Sequence, residues 1–251
     1  MTAPTLREVL AEAPFGLAMS SGFFGFFAHT GMLTALLDEG LTPVRVTGAS
    51  AGALVGGLWA AGLVPPLARA ALEALTREAF WDPAPGLGLL RGRKFRELLE
   101  SLLPARAFHE TRVPFAASVF EPLAARTVVL DRGDLATAIH ASCAVPLMFH
   151  PVRIGARLYV DGGVADRPGL SGMPEGSRVL CHHLASRLTW RGRGAAPSAL
   201  PRRSGLVALA IDHLPRLHPF DLAAGGSAID FAYSRTRAAL ERPVRDGVVR
   251  V

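Results

Sequence analysis

A chain of 251 residues, half of them apolar, can bury a large core as one domain, which excludes disorder as its default state. No apolar run reaches the roughly 20 residues of a membrane span, and Met1 to Pro14 lack the basic-then-apolar order of a signal peptide, so a cytoplasmic protein is expected. The net charge of +6 is carried almost wholly by arginine, yet Arg91, Arg93, Lys94, Arg96 and the later set Arg187, Arg191, Arg193, Arg202, Arg203 lack interleaved aromatics for stacking bases; this excludes nucleic acid as the expected partner and leaves a solvated face or peripheral contact with anionic membrane.

The predicted elements alternate. Phe15 to Ser20 reads as a buried strand, followed by a glycine-aromatic turn over Ser21 to Phe27 and a helix from His29 to Glu39 that stops at Gly40. Val44 to Thr47 is a β-branched strand, and a very apolar helix runs from Ala51 to Ala61. Strand, turn and helix in this order predict an α/β fold with a parallel sheet. Pro65 to Arg106 is mainly helical, with amphipathic stretches at Leu67–Arg77 and Lys94–Leu103 around a Pro- and Gly-rich loop, Trp81 to Gly92. Strands are predicted at Pro114–Phe120, Thr127–Leu130, Leu158–Val160, Val179–Cys181 and Leu206–Ile211. Helices are predicted at Leu135–Ser142 and Asp221–Arg242, the latter with a break at Gly225-Gly226. Trp190 to Ser204 reads as a mobile loop. Cys143 and Cys181, each in an apolar segment without metal-ligand spacing, read as buried thiols.

Chemistry concentrates at three places. Gly48-Ala49-Ser50-Ala51-Gly52 joins a strand to an apolar helix, the pattern of a nucleophile elbow. The serine of such a turn sits in a strained backbone. Small neighbours let strand and helix pass closely, and the helix N-terminus favours developing negative charge. A nucleophilic serine needs a base, and Asp161 in Tyr159-Val160-Asp161-Gly162-Gly163 ends a strand at the sheet edge where ligands bind in open α/β folds. His213 and His218 are the alternative bases, in a Ser-His-Asp arrangement. The loop Ser20-Ser21-Gly22-Phe23-Phe24-Gly25, after the first strand, offers backbone N–H groups for an oxyanion, with Gly22, Phe23 and Ser21 as candidate donors.

These pieces, in this order, resemble the patatin-like phospholipase family over roughly Phe15 to Pro168. Gly31-Met32-Leu33 and Ala141-Ser142-Cys143-Ala144-Val145-Pro146 extend the likeness. The resemblance implies a three-layer α/β/α sandwich with a mostly parallel sheet, in a single domain over 1–251 whose 65–106 segment covers the active site. It also implies a Ser50–Asp161 dyad that hydrolyses lipid or lysolipid esters through an acyl-enzyme, with neither metal nor organic cofactor. Phe23, Phe24, Phe26 and Phe27 are candidates to line an acyl pocket. The sequence departs from the family in two places. Serines stand at Ser20 and Ser21 and a phenylalanine at Phe24, where the family has glycines and a basic residue. Asp166-Arg167 stands where Asp-Asn is frequent. The altered loop keeps open a second reading, a lipid-binding protein on the same fold with weakened catalysis.

Overall fold

The structure, a computed structural model, describes residues 3–184, 200–215, 217–218 and 222–251. The loop expected at Trp190 to Ser204 lies for the most part outside these, as do Arg187, Arg191 and Arg193. The chain opens with a short helix α1 (Leu6–Glu12), whose Thr5 and Glu8 close a capping box, then strand β1 (Gly16–Met19) and helix α2 (Phe26–Asp38). Strand β2 (Arg45–Ala49) leads directly into α3 (Ala51–Ala60), followed by α4 (Pro65–Glu73), β3 (Gly88–Leu90) and α5 (Arg93–Leu102). Then come β4 (Phe115–Glu121), β5 (Arg126–Leu130), α6 (Leu135–Ser142), β6 (Leu147–Phe149), β7 (Val152–Ile154) and β8 (Arg157–Asp161). The chain closes with β9 (Val179–His182), β10 (Leu206–Ala210), α7 (Gly225–Leu240) and β11 (Val248–Arg250).

The fold is α/β with a mostly parallel central sheet, as expected. Its order is β11-β10-β9-β1-β2-β4-β8-β7, with β5 on β4. From β11 to β4 every pairing is parallel, and β5, β7 and β8 add an antiparallel edge. The inner strands β1, β9 and β10 are buried along their whole length, which is why they read as continuous apolar runs rather than alternating ones. Helices α2, α3 and α6 cover one face. Leu17, Met19, Met32, Leu36, Leu58, Ile139 and Leu209 belong to one apolar cluster there, with α7 packed along α2. On the opposite face, Met173 closes a smaller cluster with Ala18, Cys181 and Ala208.

Two differences from expectation have local causes. The helix after Pro65 stops at Glu73 rather than Arg77, and its Pro65 sits in the first turn, where a missing N–H costs nothing. The predicted loop before Gly92 contains β3, which pairs with β6 as a separate two-stranded ribbon; a strand of three residues is too short for its own pattern to show.

Candidate active site

Register brings Ser50 and Asp161 together. β4 lies between β2 and β8, with Ala49 opposite Ser118 on one side and Asp161 opposite Val119 on the other. The residue after Ala49 and the last residue of β8 therefore flank β4, about 10 Å apart at two strand spacings, a gap two side chains can close.

Ser50 has φ 53° and ψ −120°, a conformation an L-residue adopts at a cost of order 1–3 kcal/mol. Several contacts hold it there. The Ser50 N–H donates to Ser142 Oγ at 2.9 Å, and that hydroxyl donates in turn to the Ser118 carbonyl at 2.7 Å. The Ser50 carbonyl accepts from Leu54 N–H at 2.9 Å and from the Cys143 thiol at 3.3 Å. Close approach explains the small residues: a Cβ on Gly52 would lie 2.0 Å from the Met19 carbonyl oxygen, and one on Gly48 would lie 2.4 Å from the Gly52 backbone.

Asp161 is buried at the end of β8. Its N–H donates to the Ala144 carbonyl at 2.9 Å, and its Oδ1 accepts from Gly163 N–H at 2.7 Å. Burial pushes the carboxyl up to about 6; hydrogen bonding from the Ser50 side chain and from Gly163 N–H opposes that rise. A carboxylate of this basicity, next to a serine hydroxyl, can hold a proton that the serine gives up near neutral pH. The chain then folds back, because the buried Asp166 carboxylate accepts from Leu170 N–H, Ser171 N–H and the Ser118 hydroxyl.

The third piece, Ser20 to Gly25, links β1 to α2. The Ser21 N–H donates to the Arg167 carbonyl at 2.8 Å. Ser21 is thus corrected as a candidate oxyanion donor: the loop returning from Asp161 has engaged its N–H. Gly22 and Phe23 come next, and Phe24 adopts φ 55°, re-aiming the chain before the helix. Phe23 is half exposed, whereas Phe27 is fully buried with Leu72 and Ile229; Phe27 is core and not pocket lining. Of the two alternative bases, His213 is exposed beyond the end of β10, three strands from β2, and His218 is exposed as well. Among the described residues, no cluster of His, Cys, Asp or Glu could hold a metal.

A family model described as patatin-like phospholipase matches residues 17–172, more than half of the chain. The chain belongs to this family. Among curated relatives, an uncharacterized NTE family protein of Mycobacterium tuberculosis is 34% identical over 172 residues, 66% of this chain and 48% of the relative. A second from that species is 26% identical over 181 residues, 70% of this chain and 30% of the relative. The chain therefore spans about half the length of the first of these curated relatives and less of the second. Among solved structures, VipD from Legionella pneumophila superposes with a TM-score of 0.65 at 14% identity, covering 90% of this chain and 66% of that one, a likeness of fold.

Within this patatin-like frame, sequence reasoning missed the parts that hold the site. Ser142 lies in the segment Ala141 to Pro146 that marked the resemblance, but its bond to Ser50 spans 92 residues. Asp166 stood out only as a departure, whereas its carboxylate anchors the turn beyond Asp161. Both cysteines are buried and free, and burial raises both thiols, Cys181 to about 12. No helix among the described residues is long and apolar enough to cross a membrane.

Proposed function

We propose that this chain hydrolyses carboxylic esters of lipids, phospholipid or lysophospholipid in type, with Ser50 as nucleophile and Asp161 as its base. The observation that carries this reading is the pairing of a strained serine at a helix N-terminus with a buried aspartate whose proton affinity is raised towards neutrality.

In the proposed sequence, Ser50 Oγ attacks the ester carbonyl as its proton passes to Asp161. The carbonyl oxygen becomes an oxyanion beside the first turn of α3 and the N–H groups of Gly22 and Phe23. The tetrahedral intermediate collapses, and the alcohol leaves with the proton from Asp161. A water molecule, deprotonated by Asp161, then attacks the acyl-enzyme; the fatty acid departs and the proton returns to Ser50. Every step uses groups of this chain and water. Membership in a phospholipase family supports a lipid as the acyl donor, and the exposure of the apolar Phe23 side chain supports its contact with the acyl chain.

The test is hydrolysis of p-nitrophenyl esters of increasing acyl length. Turnover that rises with chain length, and is lost in folded Ser50→Ala and Asp161→Asn, is the expected result. A folded protein inert across the series and towards lysophospholipid would make lipid binding without hydrolysis the better account.

A further inference from the structure

The peptide joining Ser20 to Ser21 is held at both its polar ends. Its N–H donates to the Arg167 carbonyl, and its carbonyl lies 2.8 Å from His29 Nε2. His29 sits in the first turn of α2, fully buried, and its other ring nitrogen, Nδ1, lies 2.9 Å from Nδ1 of His182 at the end of β9. The two rings meet edge to face at 87°. A carbonyl only accepts, so His29 Nε2 carries the hydrogen; the Nδ1 of a neutral ring is then bare, so His182 Nδ1 carries the hydrogen that fills the pair. Both rings stay neutral because burial disfavours their charged forms, His29 falling to about 4. Ser20 Oγ adds a third bond at the same root, accepting from Leu184 N–H at 2.8 Å.

A phenylalanine or leucine would fill such a core position without desolvating two imidazoles. What the imidazoles add is a fixed direction for one carbonyl. Peptide units in a short glycine-containing loop can rotate and exchange the directions of N–H and C=O. The units that follow Ser20–Ser21 carry the N–H groups of Gly22 and Phe23.

We propose that His29, backed by His182, is a positioning residue that fixes the root peptide of the oxyanion loop and so aims the Gly22 and Phe23 N–H groups at the reacting carbonyl. This inference rests on the proposed role of that loop, and its experiment separates the two. In His29→Gln the side-chain amide reaches the former Nε2 position and still donates to Ser20; in His29→Leu nothing does.

Kinetics on the p-nitrophenyl ester that wild type turns over fastest, and amide hydrogen exchange, are measured for both variants and for His182→Leu. His29→Leu is expected to lower kcat about 30- to 100-fold, with KM within about twofold. It is also expected to speed exchange at Ser21 while leaving β2 and α3 unchanged, and His29→Gln to recover most of both. Should His29→Leu fail to fold, His182→Leu, which removes only the donor behind His29, serves instead, with the same split and a smaller loss. A folded leucine variant with wild-type kcat, a glutamine variant no better than leucine at equal stability, or unchanged Ser21 exchange overturns the proposal. If the wild type hydrolyses no ester, the functional reading fails, and Ser21 exchange alone decides whether the clamp exists.

Discussion

The elbow at Ser50 and the Ser20–Gly25 loop, which the proposed hydrolysis brings to one carbonyl, are built differently. At the elbow, strain is local and its restraint dense: Ser50 N–H and C=O both have partners, and backbone approaches of 2.0 to 2.4 Å to a hypothetical Cβ leave no room to relax. The loop is fixed at its root by His29, Arg167 and Leu184, and then carries a half-exposed Phe23 and a left-handed Phe24. A nucleophile needs one geometry throughout the reaction, whereas donors to an oxyanion need a fixed origin and access to substrate. Of the two departures from the family pattern, one falls in this loop and the other, Asp166-Arg167, in the turn beyond Asp161.

The largest losses are expected at Ser50 and Asp161. Ser50→Ala and Asp161→Asn should each lower kcat/KM about 10³-fold or more in steady-state assays, since they remove the proposed nucleophile and its proposed base. Gly52→Ala should come next. Its Cβ meets the Met19 carbonyl backbone, so a loss of about 3 kcal/mol or non-expression is expected by denaturant titration. Ser142→Ala leaves the Ser50 N–H without its acceptor and the Ser118 carbonyl without its donor. About 2 kcal/mol of stability should go by thermal melts, together with kcat, while KM holds. On the loop side, Phe23→Ala keeps the backbone N–H. Stability should move by less than about 0.5 kcal/mol, and the effect should appear as a higher KM for long acyl chains.

In its proposed role as base Asp161 must be ionised, so kcat/KM should rise with pH through an apparent value near 6. Because the folded carboxyl lies above its ordinary value, its contribution to stability is complete below about 4 and is lost as pH rises through about 6. Asp161→Asn should therefore melt above wild type at pH 8, by at most about 3 kcal/mol, with the gap closing towards pH 4. The buried histidines act in the opposite direction. Depressed in the folded state, His29, His140 and His183 withdraw stability as pH falls from their ordinary 6.5 to about 4.

What the sequence revealed follows the range of each interaction. The elbow is local, five residues long between a strand and an apolar helix, and could be read directly. Asp161 was legible through the glycines after it, but its meeting with Ser50 depends on β4 lying between their strands, and no short motif carries that. The contacts from Ser142 to Ser50, from His182 to His29 and from Arg167 to Ser21 join positions far apart in the chain and leave no pattern in it. Helix α1 was missed for another reason: Thr5 and Glu8 carried a readable capping signal, but only seven residues follow before the chain extends.

The most direct test of the central claim is to label the folded protein with a fluorophosphonate and map the adduct by peptide mass. One adduct is expected, on Ser50, absent in Ser50→Ala and formed far more slowly in Asp161→Asn. An unlabelled Ser50 in folded wild type, or equal labelling rates for wild type and Asp161→Asn, would contradict that claim.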